Sequence, residues 1–199
     1  FGSVSPDNKN VCYIKYEGDK SDFKSVSLEV CDLKTLEKKT LTNFSEDKQE
    51  RILAYSVFQW IDNKRILISN KDPVQEDLEL YILNLSGEKE QLTHDEINNI
   101  YPALYKKDSI VYISDKDGSL TGDLTFSNSK EKPFTQKSLG LEVAYSRIGG
   151  DKIVYIEKTN DDCKAQLYLA DVKDIINKDV SKAVNLSELV KKDLEKREK

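Results

Sequence analysis

The chain has 199 residues and a formal net charge of −5, with 31 basic and 36 acidic side chains interleaved along it. That balance lacks the basic stripe with which duplex-binding proteins neutralise phosphates, and it disfavours nonspecific adhesion to nucleic acid or anionic membrane. Apolar residues at 38%, with ten Tyr and six Phe, argue for a packed core and against a disordered chain.

No run approaches the roughly 18 apolar residues that span a bilayer, so no membrane insertion is expected of these residues. The sequence holds neither a Met nor a signal peptide and is read as a mature or trimmed form. Cys12, Cys31 and Cys163 lack CxxC spacing and are expected as buried free thiols. Cys12 and Cys31 fall on strands expected to be neighbours, which leaves open whether they pair.

In chain order, one arrangement of parts recurs four times, over residues 1–44, 52–95, 100–136 and 141–188. In the first, residues 1–4 are the remnant of an innermost strand. The turn Ser5-Pro6-Asp7-Asn8-Lys9 follows, where Pro6 presets φ, Asp7 bonds the backbone ahead and Asn8 tolerates a left-handed conformation. Strands at 11–14 and 28–33 come next, closed by Leu41-Thr42. An insertion is expected near residues 45–51.

The second repeat runs through a strand at 55–60, the turn Ile61-Asp62-Asn63-Lys64, strands at 66–68 and 80–85, and Leu92-Thr93. The third has 101–105, then Tyr105-Lys106-Lys107-Asp108, strands at 110–113 and 124–127, and Phe134-Thr135. The fourth has 143–148, the turn Gly149-Gly150-Asp151-Lys152, strands at 153–156 and 167–172, and a weak close at Asn185-Leu186. These runs are β-branched, aromatic or aliphatic and bounded by turn residues, the signature of strands. The equivalent strands begin at 11, 66, 110 and 153, and the later intervals match the roughly 40–45 residues of a four-stranded propeller blade.

Two stretches break the pattern. Residues 171–181 place Val172, Ile175, Ile176 and Val180 on a helical face. The charged tail, 189–199, follows a helix start with Ser187 as N-cap and Val190 and Leu194 on one face.

The repeat resembles the WD40-like (PD40) β-propeller repeat of TolB-like proteins and of the propeller domains of prolyl oligopeptidase relatives. The resemblance rests on Ser5-Pro6-Asp7-Asn8-Lys9, Ser114-Asp115-Lys116-Asp117-Gly118, Leu80-Tyr81-Ile82-Leu83-Asn84-Leu85-Ser86-Gly87 and Gln91-Leu92-Thr93. It implies an all-β fold of antiparallel four-stranded blades, part of a larger propeller or of a ring completed jointly with a partner. Self-association through open blade edges is therefore expected. The motif is structural and carries over no catalytic residue.

No catalytic constellation is visible. His94, the single histidine, lies where a blade-to-blade connection should run, and reads as a solvated loop residue. No G-x-S-x-G elbow is present. Asp115-Lys116-Asp117-Gly118, with Asp123 following, hints at calcium-loop spacing. It lacks a third oxygen ligand before the glycine and a distal Glu, so a turn is expected. Asp161-Asp162 occupies the equivalent loop of the fourth repeat. Glu46-Asp47 and Glu76-Asp77 are pairs that composition alone would produce.

No cofactor and no metal are expected. Trp60, Tyr101, Tyr105 and Tyr145, on inferred innermost strands, are the candidate binding residues, since aromatics offer large contact area with a polar tip. Packing between neighbouring blades is the competing role for them. The expected partner is a protein, peptide or glycan at the propeller face, and the resemblance implies an extracytoplasmic setting in the cell envelope or periplasm. The alternative is an accessory propeller of a prolyl-oligopeptidase-like hydrolase whose catalytic domain lies outside this chain.

Overall fold

The computed structural model describes residues 2–19, 22–44, 58–71, 77–106, 108–119, 121–128, 136–157 and 165–197. The chain divides into two compact units, residues 1–102 and 103–199.

The first unit holds two antiparallel four-stranded sheets. One is β1 (Gly2–Val4), β2 (Asn10–Asp19), β3 (Asp22–Asp32) and β4 (Lys38–Phe44) in chain order. The other is β5 (Phe58–Trp60), β6 (Arg65–Lys71), β7 (Leu78–Asn84) and β8 (Lys89–Gln91), also in chain order. The turn between β1 and β2 forms through side chains that compete with the backbone. Asp7 Oδ1 accepts from Ser5 Oγ at 2.7 Å and from Lys9 N at 3.2 Å, and Asn8 takes φ 58°. Between β5 and β6, Asp62 Oδ1 accepts the amides of Lys64 and Arg65, both at 2.9 Å.

Residues 66–70 of β6 and 78–83 of β7 are buried without alternation, so both faces of this sheet are covered. The two sheets are joined by side chains. Trp60 Nε1 donates to Ser3 O at 3.0 Å, and Lys39 Nζ donates to Leu85 O and Ser86 O at 2.8 and 2.9 Å. Trp60 is buried, so Trp60→Phe leaves Ser3 O without that donor and removes ring volume. A loss of about 2 kcal/mol is expected in urea denaturation. An unchanged midpoint would show that the indole contributes nothing to joining the sheets.

The second unit is built on a seven-stranded antiparallel sheet. Its strands are β9 (Asn98–Tyr105), whose last three residues lie in this unit, β10 (Ser109–Asp115), β11 (Gly122–Asn128), β12 (Lys137–Gly149), β13 (Lys152–Glu157), β14 (Gln166–Asp171) and β15 (Val184–Asn185). The third and fourth strand groups are continuous through β12, a 13-residue strand. Its first half pairs with β11 and its second with β13, and Val143 faces both Gly122 and Glu157 where the pairing passes over. Gly140, at φ 70°, accommodates the irregularity in the first half.

Three expectations need correction. Leu92-Thr93 follows β8 instead of forming it, because Thr93 bonds β7 through its side chain. The helix expected over 171–181 is α1 (Val172–Ile176), followed by a separate 3₁₀ turn, Val180–Lys182. Val172 and Ile175 are buried against the sheet while Val180 is 48% exposed, so the helical face ends where its burial ends. In the tail, α2 (Leu186–Arg197) is capped by Asn185, whose Oδ1 accepts from Glu188 N at 3.0 Å. Ser187 lies inside the helix, and its Oγ instead accepts from Leu167 N at 3.0 Å, tying the helix to β14. Residues 45–51, Phe134-Thr135, Asp161-Asp162, Glu46-Asp47, Glu76 and Cys163 lie outside the described residues.

Candidate functional site

β7 places one carboxylate, Glu79, in an otherwise apolar run, and the residue is fully buried. After Leu92, whose amide still donates to Leu80 O, the chain turns away from β7, so two β7 amides need side-chain acceptors. Thr93 Oγ1 takes the amide of Leu80 at 2.9 Å, and Asn98 Oδ1 takes that of Leu78 at 3.0 Å. The Thr93 hydroxyl then donates to Glu79 Oε2. Asn99 Nδ2 donates to the same oxygen at 3.2 Å, to Asp95 Oδ1 at 2.8 Å and to Ile97 O at 3.2 Å. Glu79 Oε1 is buried with no hydrogen-bond partner.

Burial pushes the Glu79 carboxyl up to about 7, and the negative charge of Asp95 adds to that, while the bonds from Thr93, Asn99 and the Asp95 backbone amide oppose it. A carboxyl balanced there takes up or releases a proton near neutrality. It is sealed from solvent, so it presents no face to a bulky substrate. Sequence reasoning missed it. The signal was available: a lone acid within Leu78-Glu79-Leu80-Tyr81-Ile82-Leu83, followed by the Leu92-Thr93 of the repeat.

The four aromatics do not form one constellation within either unit. Trp60, already engaged with Ser3, and Tyr101 are buried in the first unit, where Tyr101 takes φ 52° within β9. Tyr105 is buried in the second, with Lys106 Nζ 4.8 Å from its ring centroid. Tyr145, on β12, is half-buried. His94 is exposed, between Thr93 and Asp95.

Asp115 Oδ1 accepts the amides of Asp117, Gly118 and Ser119 at 3.2, 2.9 and 3.2 Å, and Gly118 takes φ 73°, so this loop is a side-chain-organised turn. Asp123 faces Glu142 across β11 and β12, and both line an open cavity of about 260 Å³ with Asp117, Lys116 and Gly122. Cys12 pairs across the ladder with Val30, and Cys31 with Val11, so the two thiols project from opposite faces of the first sheet. Both are free, and burial pushes Cys12 up to about 12.

No protein-family model matches the sequence, and no curated protein is detectably similar to it. Solved structures are similar in fold. One is a puromycin-hydrolysing peptidase of Mycobacterium tuberculosis, at TM-score 0.65 and 13% identity, over 93% of this chain and 28% of that one. Another is a putative TolB from Agrobacterium tumefaciens, at TM-score 0.62 and 15% identity, over 93% of this chain and 63% of that one. A third is the β-propeller domain of the Trilobed protease from Pyrococcus furiosus, at 0.52 and 15%, over 94% and 55%. The chain thus spans less than two thirds of the length of each.

Repeated antiparallel sheets with these neighbours define a β-propeller module. Solved TolB structures are among those that share this fold. No helix among the described residues is long and apolar enough to cross a membrane.

Proposed function

We propose that the chain is a noncatalytic propeller module of the WD40-like (PD40) type that binds a protein, peptide or glycan in the cell envelope. The fold likeness to TolB over 93% of the chain carries this reading. Of the four inner-strand aromatics, the half-buried Tyr145 has surface to offer a ligand, while Trp60, Tyr101 and Tyr105 act from the interior. The second reading, an accessory propeller of a hydrolase, is favoured by the likeness to the mycobacterial peptidase, of which this chain covers 28%.

Peptide and glycan arrays, followed by calorimetric titration of the best binder, test the proposal. Saturable binding is expected, weakened about tenfold by Tyr145→Ala, with the melting temperature within about 2 °C of the parent. Chromogenic ester and peptide substrates should remain unturned. Turnover abolished by His94→Ala would overturn the noncatalytic reading, because His94 is the sole imidazole available as a base.

A further inference from the structure

We propose that the Glu79 network is a proton-operated latch. Neutral Glu79 holds residues 92–97, the connection from the second sheet into β9, against β7, and ionised Glu79 releases them. This goes beyond the binding reading and does not depend on it.

The geometry supports a latch because the attachments of this connection to β7 run largely through side chains. Leu92 N still donates to Leu80 O at 2.8 Å. Beyond it, Thr93 and Asn98 replace backbone acceptors, and Asn99 gathers Glu79, Asp95 and the carbonyl of Ile97 around one amide nitrogen. Thr93 joins both sets, since it accepts from Leu80 and donates to Glu79. Whatever disturbs the Glu79 carboxyl therefore disturbs the bonds that hold the connection.

The surroundings favour the neutral carboxyl. Across the ladder from Glu79 on β6 is Asn70, buried and uncharged, while Lys71 belongs to the alternate face of that strand. From β8, Lys89 shares the face of Glu79, but its ammonium rests over the Tyr81 ring, 3.7 Å from the centroid. The connection supplies Thr93, the half-buried Asp95, and the exposed His94 and Glu96, and β9 supplies Asn98 and Asn99. Of these, Asp95 acts on Glu79 in two opposed ways, its carboxylate as a like charge that favours the neutral form and its backbone amide as a donor that favours the ionised one. An ionised Glu79 would leave a buried charge with one oxygen unbonded, a state relieved by letting water in. Water enters by displacing the connection.

The amides of Leu78 and Leu80 report the latch directly, because their acceptors sit on the moving side. Hydrogen exchange read by NMR, corrected for intrinsic rates, should show their protection falling about tenfold between pH 6 and pH 8. Amides of β2 serve as the internal reference. In Glu79→Gln the fall should vanish. Equal protection at both pH values in the parent would overturn the proposal, as would an equal fall in the variant. Carboxyl-carbon titration of the parent gives a second measurement that needs no variant, and a Glu79 midpoint below about pH 5.5 would also overturn it. Asp95→Asn removes the repelling charge, so the loss of protection should begin about half a pH unit lower. No shift in that variant would again count against the latch.

Discussion

Gly122→Ala is expected to cost about 3 kcal/mol or more, one of the largest effects of a single added methyl group in this chain. A Cβ on Gly122 would lie 2.1 Å from Ser114 O and 2.8 Å from Asp115 Cα. Both are backbone atoms, so no side-chain rotation relieves the overlap. The only escape is to part β10 from β11, whose ladder pairs Ser114 with Asp123 at this end. That movement would also strain the turn held by Asp115, whose carboxylate accepts three successive amides. Gly149→Ala is the matched control. Nothing lies within 4 Å of its Cβ position, and its backbone is not left-handed, so a change within about 0.5 kcal/mol is expected. Urea midpoints at constant slope measure both. Equal midpoints for the two variants would show that β10 and β11 are less closely apposed at Gly122 than described.

Stability should fall as pH rises from about 4.5 to about 7, by about 3 kcal/mol, and level off above that. In the unfolded chain Glu79 gives up its proton near the ordinary value of 4.5, whereas the folded protein holds it until about 7. Between those values the native state binds more protons, and raising the pH therefore favours unfolding. The opposite slope applies at lower pH. Asp7, Asp32, Asp62 and Glu29 are held below their ordinary values, the first through a bond from Ser5, so their contributions vanish on acidification below about pH 4. The expected profile is a maximum between about pH 4 and pH 4.5 with a decline towards neutrality. Glu79→Gln should abolish the decline and exceed the parent in stability at pH 8. Superimposable profiles for parent and variant would sink this account.

The strands were legible because their apolar runs are interrupted by turn residues with definite roles. Asn8 takes the left-handed conformation its side chain tolerates, and Asp62 bonds the amides ahead of it. Propensity located the middle strands of each group, among which β6, β7 and β10 are nearly continuous buried runs. It failed where tertiary contacts decide. Ser187 looks like an N-cap, yet Asn185 takes that role because β14 needs the Ser187 hydroxyl. The pattern places the aromatics on inner strands, but the burial of Trp60, Tyr101 and Tyr105 is a matter of neighbours that period-2 patterning does not report. Glu79 is illegible in the sequence for a related reason. Its meaning depends on Thr93 and Asn99, which are 14 and 20 residues away in sequence.

The shared strand β12 also bears on how the chain acquires its structure. Repeat proteins ordinarily gain and lose modules one at a time, with nearest-neighbour coupling setting the order. Here a single extended segment supplies hydrogen-bonding partners to β11 with one half and to β13 with the other. Detaching the whole strand strips two ladders at once, so loss of one neighbouring group disturbs the other where the two ladders meet at Val143. Once Val143 has been captured by Gly122, the residues that must meet β13 follow immediately along the same backbone. That lowers the loop-closure entropy of the next hairpin. The third and fourth strand groups are thus expected to open and close together in hydrogen exchange, as one cooperative unit.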